Sequence, residues 1–295
     1  MKDSIISGAY DLHVHSGPDV LPRRFTDIEM AQRIIDSGMA GYAIKSHYFC
    51  TAERAKLINE LYPKCQAFGM IWLNNSVGGI NPYAVELAGR DETKIVGFPT
   101  VDTENSITKT FTLPPEKRGF WSRIIVEMKE DGIELKPVQV SKDGKLLPEV
   151  YDVLDIIAKY DMILATGHLS VEDCLLLTKT AKERKVDRMI CTHVSSPGSG
   201  YAVEYQKEML KLGCYMEHCT NGWSSGKIPF EEMVSQIKAV GIDRCVINTD
   251  LGQPKNKYPD EGLYDFCTKL VEECGFSETE IRNTIVNNPK ALLGI

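Results

Sequence analysis

The chain has 295 residues, of which 43% are hydrophobic and 25% charged, and its 41 acidic and 34 basic side chains leave a net charge of −7. This balance belongs to an ordinary globular protein and argues against a disordered or fibrous chain. It also argues against a nucleic-acid-binding protein, which needs clustered Lys and Arg. No apolar run approaches the roughly 18 residues that cross a bilayer. The opening MKDSIISGAYDLHVH has no apolar signal core and no small-residue cleavage site. The expectation is a soluble, cytoplasmic chain with one domain over 1–295 and neither nucleic acid nor membrane as partner. Nine scattered cysteines without a C-x-x-C pair read as small buried hydrophobes in a reducing compartment.

In chain order, short apolar runs predict strands at 9–15, 41–47, 66–74, 94–101, 162–168, 188–194, 214–219 and 245–250. Amphipathic helical stretches lie between them, among them TDIEMAQRIIDSG, EVYDVLDIIAKYD and FEEMVSQIKAVG. Alternation at this spacing gives βαβ units and a parallel sheet. Eight such units predict an α/β fold of the (β/α)8 TIM-barrel type, whose usual size is roughly 250 residues. Residues 103–146 break the rhythm and read as an insertion after strand four, at the barrel mouth. Its second part, IELKPVQVSKDGKLL, reads as a β-hairpin turning near Asp143–Gly144. Such an insertion could cap the site or serve a subunit interface.

The six histidines are His13, His15, His47, His168, His193 and His218. Each falls at or near the C-terminal end of a predicted strand, the end that carries chemistry in such barrels. Strand alternation sends His13 and His15 to one face, Asp11 with them, and pairs Lys45 with His47. Asp250 closes the eighth strand in INTDLG. Imidazoles beside a carboxylate suit Zn2+, with Mn2+ or Fe2+ open, at one or two ions per chain.

H-x-H ending strand one, His ending strands five and six, and Asp ending strand eight resemble the ligand order of the amidohydrolase superfamily. The tail NNPKALLGI is similar to its N-P-x-x-L-L-G ending, and the segments DLHVHSGPD, IKSHYFCTAERA, ATGHLS and NTDLGQP mark an uncharacterised branch within it. The resemblance covers the whole chain and implies a metal-dependent TIM-barrel hydrolase. It implies His13, His15, His168 and Asp250 near one metal with His193 polarising substrate; two or more ions would move Lys45 and His47 into the metal shell, and His193 also counts among the candidate ligands. Strand four, KIVGFPTVD, offers Thr100 and Asp102 but no bridging Lys or Glu. Lys45 then reads either as an unusual carbamate or, slightly preferred, as a cation that holds a substrate anion. Glu172 follows His168 at a spacing unlike that of the superfamily's mononuclear deaminases.

The implied reaction is cyclic amide or lactone hydrolysis, or deamination, with Asp250 moving protons and His193 and Lys45 stabilising an oxyanion. Substrate contacts are expected from Arg23 and Arg54, which suit carboxylate or phosphate, from Asn74, and from Glu217 rather than its neighbour His218. Ser195–Gly200 could nest an anion or form a lid. These point to a small anionic metabolite as substrate. The alternative is a phosphoesterase similar to the polymerase-and-histidinol-phosphatase (PHP) family, which DLHVHSGPD followed by IKSHY also resembles. The intact ligand set argues against a third reading, a binding or scaffold protein without turnover. Barrel hydrolases of this size often form homo-oligomers, so self-association stays open.

Overall fold

The computed structural model describes residues 4–115, 118–196 and 201–295. Strands run at β1 (Tyr10–Val14), β2 (Gly41–Ile44), β3 (Gln66–Phe68), β4 (Met70–Trp72), β5 (Ile95–Gly97), β6 (Ser141–Lys142), β7 (Lys145–Leu146), β8 (Ile163–Ala165), β9 (Met189–Cys191), β10 (Tyr215–Cys219) and β11 (Cys245–Asn248). Apart from the β6–β7 hairpin, every pairing is parallel, in one run β1-β2-β3 and another β11-β10-β9-β8-β5-β4.

The two runs join into a ring. The seam between β1 and β11 is made by His15 N donating to Leu251 O at 2.8 Å and Asp250 N to His13 O at 2.9 Å. At the other seam the chain itself passes from β3 to β4 through Gly69. There the backbone lies so close to the helix Ala52–Leu61 that a Cβ would sit 2.5 Å from Ala52 Cα. No larger residue fits, and pairing passes from β2 to β5 at that point. The third expected strand is therefore one barrel position in two pieces, and the eight expected positions are all present.

Side-chain alternation sorts the core. Leu12, Ala43, Trp72, Ile95, Ile163, Ile190 and Val246 pack together inside the ring. Their neighbours Ile71, Val96, Leu164, Met189 and Met216 point outward under the helices. Such doubly buried strands read as continuous apolar runs, which is why the sequence marks them clearly. Helix starts are equally local. Thr26 and Glu29 form a capping box at Asp27–Ser37, and Gly38 ends that helix at φ 77.

The segment 103–146 does leave the ring after β5. It carries helices Glu104–Thr112 and Ser122–Glu130 before the hairpin. Asp143 and Gly144 make the turn with φ of 52 and 72, as a two-residue hairpin loop requires. The hairpin is shorter than the expected span, with two residues a side. Residues 133–140 form no strand, and Pro137 among them has no N–H to offer a ladder. Among the described residues no helix is long and apolar enough to cross a membrane.

Candidate metal and active site

The strands end earlier than the apolar runs suggest, so His15, His47, His168, His193 and Asp250 stand on the turns just beyond them. All five line one cavity of about 900 Å³ at the C-terminal mouth of the barrel. Two hold backbone conformations that side chains rarely adopt, with φ of 31 at His193 and 54 at Asp250. Strain of this kind persists where surrounding bonds over-determine it. Asp250 is held by the β1 seam, and His193 N donates to Glu217 Oε2 at 2.8 Å. Gly252 completes the seam at φ 134; a Cβ there would overlap His15 O.

Asp250 Oδ1 is the junction of the cluster, 3.1 Å from His15 Nε2 and 3.2 Å from His13 Nε2. His13 Nδ1 meets Glu217 Oε1 at 3.0 Å, and Asn248 Nδ2 donates to that same oxygen at 2.7 Å. Lys45 Nζ lies 2.7 Å from His13 Nε2 and 4.0 Å above the Trp72 ring. Gly97 leaves room for that ring: a Cβ at this position would lie 2.2 Å from Trp72 Cε3. On the far side, His168 Nε2 and His193 Nε2 are 2.9 Å apart. His168 Nδ1 is fixed at 2.8 Å by the hydroxyl of Ser106, so the insertion orients a site histidine directly. His47 Nδ1 meets Thr100 Oγ1 at 2.8 Å, with its ring 5.0 Å from that of His15.

Electrostatics divide these groups. Burial, then the Arg23 charge, holds His15 well below the ordinary histidine range. Burial, then Lys45, does the same to His47, and burial, then His193, to His168. Burial takes His193 down to about 4. Burial and Lys45 also oppose a proton on His13, but the Glu217 and Asp250 carboxylates prevail and raise it to about 9. Burial works against ionisation of Asp250 and Glu217, yet His13 overcomes it in both, holding Asp250 well below the carboxylate range and Glu217 near about 2.

A divalent cation fits this arrangement. Donor atoms of His13, His15 and Asp250 all lie within 4.8 Å of one another, as do those of His13, Glu217 and Cys219. His15, His168 and His193 are held neutral and keep the lone pair that ligation needs, whereas His13 would have to give up its proton to a bound cation. The His168–His193 and Lys45–His13 nitrogen pairs aim basic atoms at each other, and buried His15 Nδ1 has no hydrogen-bond partner. Imidazole with carboxylate is the donor set of a borderline cation such as Zn2+.

Several expected contacts stand elsewhere. The Arg54 guanidinium is turned from the cavity and grips Asp27 at 2.8 and 2.9 Å and the Ser16 carbonyl at 3.0 Å. Asn74 is fully buried, with Nδ2 on His47 O and Thr100 Oγ1 and Oδ1 accepting from Thr100 N. It clasps two loops, and its amide is spent on them. Glu217 and Lys45 lie behind the cavity wall, against His13. Arg23 does line the cavity, with Nε donating to Asp19 at 2.8 Å. Asp11 leaves the phase of His13 because β1 shifts register between Asp11 and Val14; its carboxylate takes the Thr249 hydroxyl at 2.5 Å. His218 faces away from the ring interior and takes Ser195 Oγ at 2.6 Å. Of Ser195–Gly200, residues 197–200 lie outside the described residues.

Sequence reasoning missed Cys219, Asn221, Asn248 and Ser106. Cys219 was legible: two residues beyond Glu217 on one strand, it shares that face and lines the cavity, with Sγ 3.8 Å from His13 Nδ1. Asn221, Asn248 and Ser106 act through contacts that close only in three dimensions.

The closed ring defines the class of fold, a (β/α)8 barrel with its histidines and Asp250 at the C-terminal mouth, and solved structures share that fold. An amidohydrolase from Pseudomonas aeruginosa is 10% identical, with a TM-score of 0.62 over 98% of this chain and 96% of that one. A putative 2-pyrone-4,6-dicarboxylic acid hydrolase from Pseudomonas putida is 12% identical, with a TM-score of 0.59 over 97% of each chain. The phosphotriesterase homology protein from Escherichia coli, with phosphate in its active site, is 14% identical, with a TM-score of 0.61 over 98% of this chain and 99% of that one. At such identities the likeness is one of fold. By sequence, residues 8–217 match the model of a family of unknown function, DUF6282, and the chain belongs to that family. No curated protein matches it.

Proposed function

We propose that this chain is a metal-dependent hydrolase of a small anionic metabolite, opening a cyclic amide or lactone or removing an amino group. The observation that carries the reading is the convergence of His13, His15 and Asp250 within 4.8 Å, beside His168 and His193, at the mouth of the cavity. His13, His15 and Asp250 would hold the ion, Zn2+ by its donor preference. When bound, such an ion supplies Lewis acidity that acidifies water and polarises a carbonyl.

The chain's own groups do the rest. Asp250 is ionised, has Asn221 Nδ2 3.3 Å from Oδ2, and opens onto the cavity, so its carboxylate takes the proton of the attacking water and returns it to the leaving group. His193, neutral and on the cavity wall, polarises the substrate oxygen. Lys45 touches His13 and acts through it, as a positioning residue. The names of the neighbours, an amidohydrolase and a dicarboxylic acid hydrolase, support C–N or C–O hydrolysis. A neighbour holding phosphate supports phosphoester hydrolysis as the second reading.

Metal content per chain, measured on protein purified without chelator beside His13→Ala, tests the reading. About one ion per chain, lost in the variant, is expected. No metal under any loading overturns it. Two or more ions with release of inorganic phosphate from small phosphomonoesters would replace it by the second reading.

A further inference from the structure

The net charge of the chain is −7, yet its cavity has the opposite sign. Among the described residues lining it, Arg23, Arg118, Arg123, Lys227 and Lys255 are cationic and Asp250 alone is acidic. Arg23 and Arg123 have carboxylate partners off the cavity wall, Asp19 and Glu127. Arg118, Lys227 and Lys255 have none among the described residues. The Arg118 guanidinium lies 5.0 Å over the Phe111 ring and donates through Nε to Leu113 O at 3.0 Å.

The barrel order places these cations on two sides. Arg118 and Arg123 belong to the insertion after β5, the fourth ring position. Lys227 follows β10, Lys255 follows β11 and Arg23 follows β1, which are the seventh, eighth and first positions and adjacent in the ring. The fourth and eighth positions of an eight-membered ring face each other. In the insertion with Arg118, Trp121 has its ring 6.5 Å from that of His168, and Phe120 and Ile228 also line the cavity. A volume of about 900 Å³ suits a small organic molecule.

We propose that the site takes a planar organic dianion whose two acidic groups are gripped from opposite sides of the mouth. Arg118 of the insertion holds one and Lys255, with Lys227, the other. Arg118 and Lys255 are then specificity-determining residues. The proposal rests on the hydrolase reading for its location, and it adds the substrate class. Like charges facing one another across a confined mouth repel, and a dianion relieves both groups where a monoanion relieves one. A guanidinium adds bidentate selectivity for a planar carboxylate.

Calorimetric titration of the full chain as purified with isophthalate and with benzoate tests this. Wild type should bind isophthalate at least about tenfold more tightly than benzoate, the gain of one added charge-assisted contact. Arg118→Met and Lys255→Met should each cut that ratio to about twofold, while Arg118→Lys keeps part of it. Lys255 is exposed and Arg118 half-buried, and circular dichroism checks the fold of each variant. Equal affinity for the two probes, no binding of either, or an unchanged ratio in both variants overturns the proposal. The readout is independent of turnover. A chain that prefers the dianion yet holds no metal loses only the hydrolase reading. A metal-loaded, hydrolytically active chain without the preference loses only this one.

Discussion

Asp250 Oδ1 lies 3.1 Å from His15 Nε2 across 235 residues of sequence, and the same oxygen is 3.2 Å from His13 Nε2. Its geometry is imposed by the main chain. Asp250 N donates to His13 O and His15 N to Leu251 O, so the bonds that close the barrel also set the carboxylate against the two imidazoles. Closing the fold and forming the site are here one event. Asp250→Asn keeps the backbone bonds and the shape while removing the charge. It should retain the melting temperature within a few degrees, retain most metal, and lose turnover by about 100- to 10,000-fold, the usual weight of acid–base catalysis. Steady-state kinetics beside metal analysis checks this, and full activity in the variant would remove Asp250 from proton transfer.

Arg54 separates a structural cation from a substrate cation. With Asp27 it forms a bidentate pair in which the aspartate also takes the Ser16 hydroxyl at 2.5 Å. Asp27 is buried, at 5% relative exposure. Arg54→Met leaves that carboxylate uncompensated and should cost about 2–4 kcal/mol in urea denaturation. KM for whatever substrate is turned over should stay unchanged. A raised KM at undiminished stability would return Arg54 to the substrate.

The legible part of this protein was whatever local pattern decides. Eight apolar runs gave eight ring positions, because a strand buried on both faces must be apolar throughout. Histidine placement at the strand ends gave the mouth, since polar side chains in such runs stand out against Val and Ile. What escaped was set by neighbours distant in sequence. Whether a guanidinium reaches substrate or a buried aspartate depends on Asp27, which no spacing rule links to Arg54. The amide of Asn74 looked free because its partners His47 O and Thr100 sit on other loops. The phase of Asp11 failed at a register shift, which alternation cannot foresee. Lys45 pointed inward as expected, but Trp72 and His13 hold it behind the cavity.

His218, absent from the cavity, should show itself in acid stability. It is fully buried, shares a hydrogen bond with Ser195 Oγ through Nδ1 at 2.6 Å, and has Nε2 without a partner among the described residues. Burial lowers its folded-state pKa to about 4, a shift the Glu217 charge only partly offsets. Unfolded, a histidine titrates near 6.5. Between these values the unfolded chain binds a proton that the folded chain refuses, so stability falls as pH drops from about 6.5 to about 4 and levels off below. The slope is about 1.4 kcal/mol per pH unit, or roughly 3 kcal/mol across the window. His193 acts in the same direction. Asp11, raised to about 7 by burial, acts in the opposite one, because the folded chain protonates it first. The difference between wild type and His218→Asn therefore isolates the effect. Asn can meet Ser195 with its amide oxygen or nitrogen in place of Nδ1 and does not titrate, so the variant should lose less stability than wild type between pH 6.5 and 4 by roughly 3 kcal/mol. Urea midpoints measured across that range for both proteins check it, and parallel curves would mean that His218 is protonated as readily in the fold as outside it.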